Sequence, residues 1–142
     1  MCKPQQHMTE GKTPDVAIVD YGMGNLFSVK HALEWAGLSA LVTSSREDIT
    51  EADAVVLPGV GAFGDAIDAL HRLDLVSPLR DVASSDTALM GICLGMQLLM
   101  TESDEFGTHR GLDIIQGSVV RLDPCPRSPG RVKVPHVGWT GI

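Results

Sequence analysis

The stretch Ala88-Leu-Met-Gly-Ile-Cys-Leu-Gly-Met-Gln-Leu-Leu-Met100 constrains this chain more than any other. A short apolar run, Ala88 to Met90, meets Gly91-Ile92-Cys93-Leu94-Gly95, and an apolar run of helical character follows at once. That order spells a strand, a sharp elbow and a helix, the G-x-nucleophile-x-G arrangement with cysteine at its centre. The two glycines have a steric reason. The central residue of such an elbow sits in strained backbone, and its neighbours pass so closely that a Cβ on either would collide. The elbow also puts the sulfur at a helix N-terminus, where free N–H groups and the helix dipole favour thiolate, the reactive form. A buried cysteine beside two helix-packing glycines is the competing reading of the same residues.

Strands and helices alternate around this elbow. Val16 to Val19 reads as a buried strand that ends at the glycine turn Asp20-Tyr-Gly-Met-Gly24. A helix is expected from Asn25, with Leu26, Val29, Leu33 and Ala36 on one face and Gly37 as its stop. Ser39 to Thr43 is a second, shorter strand, and Ala54 to Leu57 a third, broken by Pro58-Gly59. Phe63, Ile67 and Leu70 share helical spacing, which predicts a helix from about Phe63 to Leu73. Apolar strands alternating with helices predict an α/β fold, a parallel sheet covered on both faces. Beyond Phe106 the character changes. Asp113 to Leu122 reads as strand with a turn or bulge at Gly117, Asp123 to Gly130 as a proline-rich loop, and Arg131 to Trp139 as an edge or antiparallel strand.

A length of 142 residues predicts one domain with a real core, short for a complete hydrolase. Residues 1–13 read as a polar tail without the apolar centre of a signal peptide, and 14–142 as the domain. A net charge of −7, with no block of Lys and Arg, argues against nucleic-acid or membrane-surface partners. No apolar run approaches the ~20 residues of a membrane span. Cys2, Cys93 and Cys125 are odd in number with no C-x-x-C pair, which predicts a reduced, cytoplasmic protein.

Gly59-Val-Gly-Ala-Phe-Gly64 spells the dinucleotide fingerprint, but after the third strand, and Asp81 is poorly placed to be its acidic partner. A better reading pairs this loop with Cys93. A thiolate attacking a carbonyl generates an oxyanion, which needs two backbone N–H groups aimed at it. One comes naturally from Leu94, the residue after the nucleophile, and the other from Val60 or Gly61. A plain strand–helix turn is the bland alternative. No cofactor or metal is expected: His136 has no second ligand at metal spacing.

Four segments in order carry a family resemblance: Asp20-Tyr-Gly-Met-Gly-Asn25, Leu57-Pro-Gly-Val-Gly-Ala-Phe63, Gly91-Ile-Cys-Leu-Gly-Met-Gln97 and Lys133-Val-Pro-His-Val-Gly-Trp139. Together they resemble the glutaminase subunits of imidazole glycerol phosphate synthase, within the class I (triad) glutamine amidotransferases. The resemblance implies a three-layer, flavodoxin-like parallel sheet. It implies hydrolysis of glutamine through a glutamyl-thioester and transfer of ammonia to a (β/α)₈-barrel cyclase partner of histidine biosynthesis, in a heterodimer. It assigns Cys93 as nucleophile, Val60 and Leu94 as oxyanion donors, Gln97 as a substrate contact and Glu105 as the site for the substrate's α-ammonium. Glu102, Asp104 and Glu105 are expected just past a helix C-terminus, where negative charge is mildly unfavourable. Tyr21, Asn25, Pro135, His136 and Trp139 are expected to face the cyclase.

One element of the pattern does not appear. A thiolate of this class needs a histidine base oriented by a carboxylate, which the family carries in a His-x-Glu segment far downstream of the cysteine. Here His109 and His136 are the histidines beyond Cys93, and neither is followed two residues later by an acid. The expectation is a C-terminally truncated domain, inactive by itself. Two alternatives stay open: a non-catalytic partner-binding module, and a cysteine-elbow enzyme serving another pathway.

Overall fold

The computed structural model describes residues 14–121. The polar tail, the proline-rich loop and the strand expected over 131–139 lie outside the described residues.

Four strands form the main sheet: β1 (Val16–Val19), β2 (Ala40–Thr43), β3 (Ala54–Leu57) and β4 (Ala88–Gly91). All pair in parallel, in the order β2-β1-β3-β4. This is the doubly wound order in which winding reverses between β1 and β3, so a crevice opens at the carboxyl ends of those strands. The loops after β1, β3 and β4 all leave at that edge. They are the glycine turn at Tyr21, the loop at Pro58 and the cysteine elbow.

Helix α1 (Leu26–Trp35) forms where expected. The Asn25 side chain accepts from the Ser28 N–H, capping its start. Gly37 at φ +88 ends it, with the Leu38 N–H donating to the Leu33 carbonyl at 3.1 Å, a Schellman closure. Helix α2 (Arg46–Glu51) went unread in the sequence, although Ser45 and Asp48 carry its signal. The Ser45 hydroxyl accepts from the Asp48 N–H and the first turn is acidic. Helix α3 (Phe63–Arg72) matches the expected spacing, and α4 (Val76–Ala83) follows it.

Ala17, Val19, Val55 and Leu57 point to one face of the sheet. They are buried there with Ile49, Phe63, Leu70, Leu79 and Val82 of α2, α3 and α4. The opposite face carries α1. Coverage of both faces was expected throughout, and β4 departs from it: its burial alternates, and Met90 is 60% exposed. Among the described residues no helix lies over β4 on that side.

The apolar run after Cys93 is helical only over α5 (Leu94–Leu98), not to Met100. Tertiary hydrogen bonds end it. Leu112 N–H donates to the Leu98 carbonyl at 2.8 Å, and Ile114 and Ile115 both donate to that of Leu99. The chain continues instead as β5 (Met100–Ser103), which with β6 (His109–Arg110) and β7 (Ile115–Val119) makes a second sheet ordered β6-β5-β7. The expected bulge at Gly117 is present as a register shift against Met100 and Glu102, with Gly117 at φ +143.

Candidate active site

Cys93 sits between β4 and α5 at φ +55, ψ −116, a conformation side-chain-bearing residues rarely adopt. Such a residue costs on the order of 1–3 kcal/mol and persists only where its surroundings over-determine it. They do so here. The Ile92 N–H donates to the Leu57 carbonyl at 3.0 Å, tying the elbow to the end of β3. A Cβ on Gly91 would lie 2.5 Å from the Met96 Cα, and one on Gly95 would run into the Leu57 carbonyl. Both glycines of the motif are thus sterically required, and the cysteine between them is exposed rather than buried. The buried-cysteine reading therefore falls. With only five residues, α5 offers a short dipole; the N–H groups of Gly95 and Met96 donate to the Ile92 and Cys93 carbonyls at 3.0 and 3.1 Å, which leaves that of Leu94 as the first-turn donor beside the sulfur.

The loop from Pro58 to Ala62 lies directly against this elbow. A Cβ on Gly59 would approach the Gly95 N to 2.7 Å and the Leu94 Cβ to 3.0 Å. Pro58 and Gly59 are buried, whereas Val60 is 53% exposed and Gly61 adopts φ +102. The sequence expectation that Val60 and Gly61 share a site with Leu94 is compatible with this packing: the loop is fixed at its start and open in its middle.

Glu105 follows β5 rather than a helix end, and Glu102 lies within the strand, so the expected dipole argument for this acidic stretch does not apply. The Glu105 carboxylate instead accepts the Phe63 N–H at 2.8 Å. Phe63 opens α3, whose own cap position, Ala62, has no side chain able to serve. A residue 42 positions downstream thereby caps the helix that follows the loop. The Ser103 hydroxyl, fully buried, accepts the Glu105 N–H and orients this turn. Gln97 lies on α5 one turn after Cys93, with its N–H on the Cys93 carbonyl at 3.3 Å. His109 packs its imidazole over Gly64, in the first turn of α3.

Tyr21 corrects one expectation. Rather than presenting an outward surface to a partner, Tyr21 is 3% exposed and its hydroxyl donates to the Pro58 carbonyl at 2.8 Å. Burial, and secondarily the negative charge at Cys93, pushes its pKa up to about 12. Asn25, at the same turn, remains exposed. Pro135, His136 and Trp139 lie outside the described residues. Among the described residues no group of His, Cys, Asp and Glu could hold a metal ion, and no helix is long and apolar enough to cross a membrane.

The glutamine amidotransferase class-I family matches this chain over residues 17–140. An imidazole glycerol phosphate synthase subunit HisH from Bacillus subtilis (strain 168) is 48% identical over 127 residues, 89% of this chain and 60% of that protein. The HisH subunit of Syntrophotalea carbinolica is 50% identical over 128 residues, covering 89% of this chain and 62% of its own length. That of Rhodopirellula baltica is 46% identical over 127 residues. The chain thus spans about three fifths of the length of these curated relatives. A solved structure described as a glutamine amidotransferase shares the fold, with TM-score 0.64 and 20% identity, covering 75% of this chain and 56% of that one.

Proposed function

The chain belongs to the class-I glutamine amidotransferase family, and from that premise we propose that it is the glutaminase part of an imidazole glycerol phosphate synthase. The observation that carries this reading is the juxtaposition of Cys93, held at φ +55, with the Pro58–Ala62 loop packed on the first turn of α5. The 45–50% identities to proteins named as subunits of that synthase support the choice within the family.

In the proposed reaction the Cys93 thiolate adds to the side-chain amide carbon of glutamine. A carbon–sulfur bond forms and the carbonyl π pair moves to oxygen, where the Leu94 N–H and one from Val60 or Gly61 stabilise it. The carbon–nitrogen bond then breaks. Ammonia leaves with a proton delivered by an acid, and a glutamyl-thioester remains. Water cleaves the thioester to glutamate and restores the thiol. Gln97 contacts the substrate and Glu105 takes its α-ammonium. The ammonia passes to a cyclase subunit, whose contacts include Asn25, Pro135, His136 and Trp139. Residence in the cytoplasm is part of the same proposal.

The proton transfers call for a histidine oriented by a carboxylate, typically worth ~10²–10⁴-fold. None of the five histidines of this sequence is followed two residues later by an acid. The 142-residue chain is therefore expected to hydrolyse glutamine negligibly, even with a cyclase subunit. Extending it with the downstream portion of a longer relative, including His-x-Glu, should bring partner-stimulated glutaminase activity, and Cys93→Ala in that extended protein should abolish it. Robust turnover by the unextended chain would overturn the need for a downstream His-x-Glu base, and activity surviving Cys93→Ala would overturn the assignment of the nucleophile.

A further inference from the structure

We propose that Tyr21 is a positioning residue for the oxyanion loop, its hydroxyl setting the orientation of the Pro58–Gly59 peptide from which the donor N–H groups follow. The inference rests on the reading of Cys93 as a carbonyl-attacking nucleophile and adds a residue to it.

The glycine turn after β1 forms the floor of the loop. Tyr21 donates to the Pro58 carbonyl at 2.8 Å in a buried setting. Gly24, at φ +150, leaves room for the Pro58 ring, which a Cβ there would approach to 3.2 Å. The Met23 methyl lies under Gly61, 2.9 Å from where a Cβ would stand. Because a peptide is planar and trans, fixing the Pro58 carbonyl fixes the Gly59 N–H in the opposite direction. Gly59 is meanwhile wedged between the Tyr21 hydroxyl and the Gly95 backbone, with 2.6 and 2.7 Å to its absent Cβ. At the far end the Glu105 carboxylate holds the Phe63 N–H. The loop is thus pinned at both ends by side chains, and its rotatable part is confined to Val60, Gly61 and Ala62. Glycine at 61 is the position where a peptide can turn over without a Cβ penalty.

Loss of the Tyr21 hydroxyl would free the first of these pins. Pro58 would keep its van der Waals support from Gly24, so the fold would survive. The N–H groups beyond it would no longer be pre-aimed, and pre-aiming is what makes an oxyanion donor effective. A phenol that stays protonated keeps donating over the whole range in which a thiolate can form beside it.

The test compares two reagents for Cys93. A chloromethyl ketone analogue of glutamine first takes the thiolate at its carbonyl, placing the π pair on oxygen. In the net reaction a carbon–sulfur bond forms, the carbon–chlorine bond breaks and chloride leaves with its electron pair. Iodoacetamide reacts by direct displacement of iodide and develops no oxyanion. Tyr21→Phe should slow the ketone about tenfold while changing the iodoacetamide rate less than about twofold, with peptide mapping to read modification at Cys93. Equal slowing of both reagents, or of neither, would refute the positioning role.

A second measurement avoids any folding defect. Tyr21 is the single tyrosine of the chain, so biosynthetic incorporation of a polyfluorinated tyrosine alters it alone and lowers its phenol pKa. The ratio of ketone to iodoacetamide rates should then fall as the fluorinated phenol ionises, and stay level over the same pH range in the ordinary protein. A level ratio in both proteins overturns the proposal. If instead the ketone modifies Cys2 or Cys125 ahead of Cys93 in the unsubstituted chain, the nucleophile assignment fails and the role of Tyr21 falls with it.

Discussion

The two faces of the main sheet are packed to different degrees. Under α2, α3 and α4 the strand residues Ala17, Val19, Val55 and Leu57 meet fully buried Ile49, Phe63, Leu70 and Leu79. On the other face α1 covers Val16, Ile18 and Val56, yet has no fully buried residue of its own. Between it and β4 lies an apolar cavity of about 330 Å³, lined by Val29, Ala32, Leu33, Val56, Met90 and Ile92. Apart from Ile92, which lines that cavity, the elements around Cys93 keep to the closed side. The elbow, α5 and the start of α3 grow out of the dense core, and that density is what can hold Cys93 at a positive φ. A strained residue on the loosely packed face would relax.

The largest difference between the faces should appear in truncation of core leucines. Leu70→Ala on the closed face should cost about 2–5 kcal/mol of unfolding free energy. Leu33→Ala on the open face should cost about 1 kcal/mol or less, because the residue is already half-solvated and adjoins a cavity. Chemical denaturation of the two variants measures both values, and equal costs would mean that the faces are equally packed.

A smaller effect concerns the link from the first turn to the loop. The folded protein raises the Tyr21 pKa to about 12, against about 10 in an unfolded chain. Above pH 10 the unfolded state therefore holds fewer protons at this site than the native state. The corresponding stability is fully present below pH 10 and is lost as pH rises toward 12. Tyrosinate absorbance reports this ionisation from a single residue. Titration of Tyr21 in the ordinary range near 10 in the folded protein would show that its hydroxyl is not held as described, and Tyr21→Phe should flatten the alkaline decline.

The smallest effect on folding belongs to the open face itself. Met90 is 60% exposed on it, and Phe27 and Trp35 of α1 are 77% and 91% exposed; exposed apolar surface favours association. Met90→Gln should change unfolding free energy by no more than about 0.5 kcal/mol while reducing self-association in sedimentation experiments. Unchanged association would place the sticky surface elsewhere.

Much of this arrangement was legible in the residues alone. Period and punctuation located β1, α1, β3, α3 and β4, because apolar spacing, Asn25 as cap and Gly37 as stop are local signals. The elbow was legible as a motif, and Gly91 avoids a clash with Met96 five residues on, but Gly95 is required by the Leu57 carbonyl, a neighbour only the fold supplies. Helix α2 was missed although Ser45 and Asp48 announce it, since six residues give too short a period to stand out.

Other features depend on residues distant in sequence, and only the tertiary structure decided them. The apolar run through Met100 has helical composition throughout, but carbonyls of Leu98, Leu99 and Met100 are taken by N–H groups of residues 112–115, and the helix stops. Glu105 reads as one of several acids on a loop until the fold sets it on the Phe63 N–H, 42 residues away. Tyr21 reads as a surface residue of a glycine turn. Its burial follows from the strand order β2-β1-β3-β4, which brings the end of β1 beside the end of β3 and closes the ring over Pro58. Local sequence determines which conformations a segment prefers. Which donor meets which acceptor is set by the pairing of strands far apart in the chain, and no window of neighbouring residues contains that information.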